Sequence, residues 1–173
     1  MSDWSRPVRL DQLPATGREL ALEASPSERA GMAERLDLLE LPSLTADVLV
    51  ERDRGDLVAS GTLRAQAVQA CSVTGEPVAA EVHEAFELRF REDDPRAKGD
   101  EVELSEGELD VLPLVGGAAD LGQALADTLA LALPPYPRAP GAEEALREAG
   151  VRTEEEMEAE RVAASPFAVL KGG

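Results

Sequence analysis

From Leu44 the apolar positions fall on alternate residues, Leu44, Ala46, Val48 and Val50 against polar Thr45, Asp47 and Glu51. That is the period of a strand with one face in a core. Asp53-Arg54-Gly55-Asp56 is a turn sequence, and beyond it Leu57, Ala59, Leu63, Ala65 and Ala67 share one face of a second strand. A third strand carries Val78, Ala80, Val82, Phe86, Leu88 and Phe90 on one side and Glu81, His83, Glu87, Arg89 and Arg91 on the other, with Glu84 as the one break. Three successive strands joined by short turns predict an antiparallel meander with one face buried.

Elsewhere the period is helical. Ser25-Pro26-Ser27-Glu28 combines an N-cap serine, a first-turn proline and a glutamate at N3, which predicts a capping box and a helix to about Leu38. Before it lies an extended opening with Val8, Leu10, Leu20 and Leu22 as apolar contacts, and after it Pro42 requires extended chain. Val111 to Val115 fits either another strand or an ordered approach to the next helix. Asp120 with Gln123 makes a second capping signature, and Leu121, Ala124, Leu125, Thr128, Leu129 and Ala132 form a stripe predicted to lie across the sheet, on a helix from about 118 to 133. Pro134-Pro135 stops that helix, and PPYPRAP reads as extended chain. A short helix from about Ala142 to Ala149 ends at Gly150, and Thr153 to Glu156 opens a last, highly charged helix.

These elements predict an α+β fold, an antiparallel β-meander or partly closed barrel with packed helices. Closed barrel and open sheet both satisfy the pattern. At 173 residues the chain is expected to be a single domain, 1–173, with an acidic loop at about 92–110 and a charged, mobile C-terminal segment at about 141–173.

Composition changes this picture in three ways. With 43% hydrophobic residues but 3% aromatics, the core must be built from Leu, Val and Ala. A single Cys excludes an internal disulfide framework and suits a reducing cytoplasm. The opening MSDWSRPVRL lacks a continuous apolar stretch, and no apolar run reaches the roughly 18 residues of a membrane span, so neither secretion nor membrane insertion is expected.

The net charge of −18 bears on partners once it is located. Residues 92–110 carry nine acids against two bases, and residues 142–160 carry eight against two, together −13 of the −18. Such runs serve either as solvated faces or as an acidic surface for a basic partner. A phosphate backbone is repelled over both, because nucleic-acid affinity comes from clustered Lys and Arg. The candidate RNA contact is the set Arg52, Arg54, Arg64, Arg89 and Arg91 on neighbouring strands. Glu51, Asp53, Asp56 and Glu87 are interspersed among them, which favours cross-strand ion pairing.

Cys71 and His83 invite a nucleophile-and-base reading, which requires imidazole and thiol within hydrogen-bond reach. A hairpin turning near Thr74 to Glu76 sets Cys71 opposite about position 79, short of His83, and His83 falls on the polar face of its strand. The expectation is therefore a structural thiol and no catalytic residue, with a thiol-dependent enzyme or sensor at Cys71 as the alternative. One Cys and one His do not make a tetrahedral zinc site. No Gly-rich phosphate loop, serine elbow or paired-carboxylate signature is present, so neither a metal nor a cofactor is expected.

The order Cys71-Ser72-Val73-Thr74-Gly75-Glu76-Pro77-Val78, then LALALPPYP with Leu133, Pro134 and Pro137, then SPFAVLKGG with Pro166 and Phe167, resembles the YceD family. The similarity runs in order and spacing from about residue 8 to the end, with the N-terminal quarter matching in pattern alone. It implies a small cytoplasmic protein of bacterial or plastid type, tied to accumulation of large-subunit ribosomal RNA and without known catalytic residues. Family genes often neighbour that of a large-subunit ribosomal protein, so the implied partner is a ribosomal protein or a pre-large-subunit particle. Many members carry a second Cys three positions after the first, and some carry His and Cys after the ALPxxP segment. Here Thr74 and RAPGAEE stand at those places, so zinc binding in that manner is not expected. Acidity favours action through protein contacts with basic ribosomal components, and direct RNA binding by the meander arginines is the alternative. The apolar group Pro166, Phe167, Val169 and Leu170 either docks on the fold or meets a partner.

Overall fold

The computed structural model describes residues 4–92 and 111–164. Its strands are β1 (Pro7–Arg9), β2 (Arg18–Glu23), β3 (Glu40–Asp53), β4 (Asp56–Ala70), β5 (Pro77–Glu92), β6 (Val111–Leu114) and β7 (Ala118–Asp120). The helices are α1 (Pro26–Arg35), α2 (Leu121–Ala132), α3 (Ala142–Glu148) and α4 (Glu154–Ala163), with a 3-10 turn at Leu10–Gln12. The described residues form two compact units, one from 4–69 with 79–92 and 111–135, the other from 70–78 with 136–164.

The predicted meander is the centre of the first unit. β3 and β4 pair antiparallel from Glu40↔Val68 to Asp53↔Asp56, and the two residues between them, Arg54 and Gly55, both have positive φ, 52° and 94°. That combination is the tight turn whose twist suits a hairpin, which explains the glycine. Leu44, Ala46, Val48 and Val50 of β3 and Leu57, Ala59, Leu63, Ala65 and Ala67 of β4 are all buried, so the alternating faces fall as the sequence predicts. Pro42 sits in a register shift between Glu40 and Ser43, where a missing N–H leaves no gap in a regular ladder.

The sheet is larger than the three predicted strands. Its order is β2-β3-β4-β5-β6, open rather than closed, with β2 antiparallel to β3 and β6 parallel to β5 in the register Arg89↔Val111 to Glu92↔Leu114. A parallel neighbour requires a long connection, and 18 residues separate Glu92 from Val111; apart from Glu92, the acidic loop predicted at about 92–110 lies outside the described residues. The opening expected to be merely extended pairs twice, β1 with β7 as a small separate sheet and β2 as an edge of the large one.

Helix starts obey local chemistry. Ser25 Oγ accepts from the Glu28 N–H at 3.3 Å while the Ser25 N–H donates to the Glu28 carboxylate at 2.8 Å. Arg6 donates to the same carboxylate at 2.8 and 3.0 Å and, with the Ser25 N–H, holds it well below the usual range, at about 2. The helix ends at Arg35 rather than Leu38, because Asp37 takes φ 54° and turns the chain. α2 begins at Leu121, capped by Asp120 Oδ1 accepting from the Gln123 N–H at 3.2 Å; the three residues expected to be its first turn are strand β7 instead. Leu121, Ala124, Leu125 and Leu129 are buried in the same cluster as the sheet's inner face. Trp4, which no periodicity singled out, is also in this core and 2% exposed.

In the second unit, α3 starts at Ala142 after Gly141, whose φ is 87°. α4 is opened by a Thr153–Glu156 capping box and buries none of its residues. Among the described residues no helix is long and apolar enough to cross a membrane.

Candidate functional site

The segment between β4 and β5 folds around one sulfur. The Cys71 N–H donates to the Glu76 carbonyl at 2.7 Å and the Gly75 N–H to the Cys71 carbonyl at 2.9 Å, which closes the loop at Gly75 in a left-handed conformation, φ 75°. Cys71 Sγ accepts from the Thr74 N–H at 3.5 Å and from the Ala139 N–H at 3.3 Å. The Ser72 N–H donates to the Pro137 carbonyl at 2.8 Å. Cys71, Ala139 and Ala142 are buried together, with Val73 and Val78 against them.

Two signature segments far apart in sequence, Cys71–Pro77 and Pro137–Ala139, are thus one structural feature. Pro134 accepts from the Gln69 side chain at 3.0 Å, and Leu133 is buried in the core of the first unit. Pro166 and Phe167 lie outside the described residues. His83 is exposed on β5, while Cys71 is 4% exposed and its sulfur has Thr74 and Ala139 as partners.

The donors around Cys71 favour its anion. Hydrogen bonding from Thr74, then from the Ala139 backbone, lowers the thiol from an ordinary 9.0 to about 6. A group whose folded pKa is depressed adds stability that is fully present above the unfolded value and lost as pH falls through the folded one. The protein is therefore expected to gain stability as pH rises from about 6 towards 9, a rise that Cys71→Ser removes. Thermal melting across that range, together with the ultraviolet absorbance of the thiolate, checks it; identical pH dependence in both proteins refutes the thiolate.

The five sequence-selected arginines do not form one patch. Arg64 is paired with Asp47 at 2.6 Å on the β3–β4 ladder. At the far end of the same strands Arg89 donates to Asp53 at 2.9 Å and Asp56 at 3.0 Å, and Arg91 donates to both Asp56 oxygens at 3.0 and 2.9 Å. Asp56 is buried, and Arg91 first, then Arg89, holds its carboxyl below the usual range against the desolvation that opposes ionisation. Arg52 donates to the Leu10 carbonyl, and Arg54 is exposed in the hairpin turn. Alternation along one strand cannot show which carboxylate a guanidinium reaches on its neighbours, although the interspersed aspartates were the visible clue.

The acids of the second unit stand in water. Glu143, Glu144 and Glu148 on α3, and Glu154, Glu155, Glu156, Glu158 and Glu160 on α4, are all exposed. No cluster of three or more His, Cys, Asp or Glu side chains among the described residues is placed to hold a metal ion.

These features define an acidic α+β protein with an open five-stranded sheet and a thiol-centred loop joining its middle strands. The sequence model described as "Large ribosomal RNA subunit accumulation protein YceD" matches residues 59–172, and the chain belongs to the YceD family. That span contains every signature residue from Cys71 to Phe167. Comparison with the curated proteins finds no match, and comparison with the solved structures finds none.

Proposed function

We propose that this protein supports accumulation of large-subunit ribosomal RNA through protein contacts, holding a basic ribosomal protein or a basic face of a pre-large-subunit particle rather than the RNA itself, and acting in the cytoplasm. The family description supplies the link to large-subunit ribosomal RNA. The observation that carries the finer reading is the disposition of charge. Arg64, Arg89 and Arg91 are held by the protein's own aspartates, whereas the acids of α3 and α4 are all exposed, with Glu160 paired to Arg152 and Glu156 bonded by the Thr153 N–H. A phosphate backbone has to break those ion pairs to reach these guanidiniums, while a cationic protein meets the exposed carboxylates directly. Association driven this way is fast and falls with salt.

The test uses the full chain as bait for purified large-subunit ribosomal proteins and, separately, for large-subunit RNA in a gel shift. Capture of a basic ribosomal protein that weakens with salt, with weak binding to naked RNA, is expected. Tight binding to the RNA alone with no ribosomal protein captured overturns the reading, as do normal large-subunit levels in a strain lacking the protein.

A further inference from the structure

A concave site on the first unit is lined mostly by apolar side chains. A groove of about 320 Å³ opens beside the sheet's β6 edge, between Phe90 of β5, Leu112 and Pro113 of β6, and the first turns of α2. Val115 lines it and is 77% exposed, held there by a reciprocal pair of backbone bonds with Ala118, 2.9 and 3.1 Å, around Gly116 and Gly117 at φ 60° and 74°. Two glycines in left-handed conformations therefore fix an aliphatic side chain in water at the mouth of an apolar groove. The volume lies at the small end of side-chain and ligand pockets, which run from about 300 Å³.

The ionisable side chains of the lining itself are acidic, with Arg35 beside one of them. The lining contains two ionisable side chains, Asp120 and Asp127, and no Lys or Arg. Asp120 accepts from the Ser5 hydroxyl at 2.6 Å and from the backbone N–H groups of Arg6 and Gln123 at 2.8 and 3.2 Å, and the Arg6 guanidinium, itself paired with Glu28, interacts with it through charge alone. Asp127 meets Arg35 at 2.9 Å but remains 59% exposed. The chain as a whole carries −18. Pro113 lacks an N–H on the edge strand, so the groove favours insertion of a side chain over addition of a strand.

We infer that this groove is a docking site for a cationic peptide segment of a partner protein, which inserts an aliphatic side chain against Val115, Phe90 and Leu112 while its Lys or Arg residues meet Asp120 and Asp127. Charge complementarity selects that occupant. A second copy of this chain brings another −18, and an anionic peptide is repelled in the same way. The inference rests on the functional reading above and locates one contact for the basic partner.

Fluorescence anisotropy of a labelled short peptide of Leu and Lys residues tests it, with Ser–Lys and Leu–Glu peptides of equal length for comparison. The Leu–Lys peptide is expected to bind the full chain, Val115→Lys to weaken it about tenfold, and Leu131→Lys, at an 89% exposed position of α2, to change it by less than roughly twofold. Both substitutions are exposed, and unchanged melting temperatures verify folding. Equal affinity for Ser–Lys or for Leu–Glu, equal loss in the two variants, or no binding of Leu–Lys overturns the inference. Self-association in sedimentation that Val115→Lys abolishes assigns the groove to a second copy and also overturns it. If Val115→Lys captures a basic ribosomal protein as well as the unchanged chain does, the groove assignment fails and the functional reading stands. If the peptide results hold but no ribosomal protein is captured, the functional reading fails and the groove remains.

Discussion

Gly61→Ala is expected to cost on the order of 3 kcal/mol, the upper part of the range for a side chain forced into space already filled. Gly61 lies opposite Val48 in the β3–β4 ladder, where a Cβ would stand 1.9 Å from the Asp47 carbonyl oxygen and 2.9 Å from its carbon. These are backbone atoms of a paired strand, so relief requires β3 and β4 to move apart along a ladder that runs from Glu40 to Asp53. For a chain of this size each kcal/mol shifts the melting temperature by about 2–4 °C. Trp4, the single tryptophan and 2% exposed, reports the transition by fluorescence. Gly55→Ala is the informative comparison, because Gly55 has φ 94° but open space around it. Its cost is conformational alone, about 1 kcal/mol. Equal losses at the two positions would show that close strand approach is not what requires Gly61.

Leu125→Ala is expected to destabilise the protein by about 2–5 kcal/mol, the cost of removing buried methyl groups and leaving a cavity behind. Leu125 is fully buried at the centre of the α2 stripe, between Leu121 and Leu129, which are equally inaccessible. With so few aromatics, this core depends on leucines, and α2 brings three of those most deeply buried. Urea unfolding followed by circular dichroism measures the loss. Leu131→Ala on the same helix, 89% exposed, is expected to change stability by about 0.5 kcal/mol or less. A small effect at Leu125 would mean that α2 is not the element covering the sheet.

The meander, the capping boxes and the α2 stripe were legible because each is written in residues close together in sequence. Alternation from Leu44 to Val50 states which side of a strand is apolar whatever lies beyond it. Ser25 and Glu28 complete each other's hydrogen bonds within one helical turn. The three-residue strands β1 and β7 have no room for a period, and their pairing joins Pro7 to Asp120 across most of the chain. β6, four residues long, lies beside β5 in a parallel register that no local pattern encodes. The candidate contacts divided in the same way. The arginines stood out as a set, but the ion pairs that separate them bridge strands, and the Ala139 N–H that reaches the Cys71 sulfur comes from well beyond the loop bearing Cys71.

The sequence by itself determined the faces of the three long strands, the helix caps at Ser25, Asp120 and Thr153, the leucine-rich core, the strong negative charge and the family. Those properties follow from composition and from interactions within a few residues, which the chain carries in any conformation. Tertiary structure decided that the sheet is open with a parallel edge, that Asp53 and Asp56 hold Arg89 and Arg91, that Cys71 is satisfied by Ala139, and that Val115 stands at the mouth of an apolar groove. Each of these depends on which distant segments come within a few ångströms of one another. That proximity is set by burying the whole core at once, so it belongs to the folded chain rather than to any stretch of its sequence.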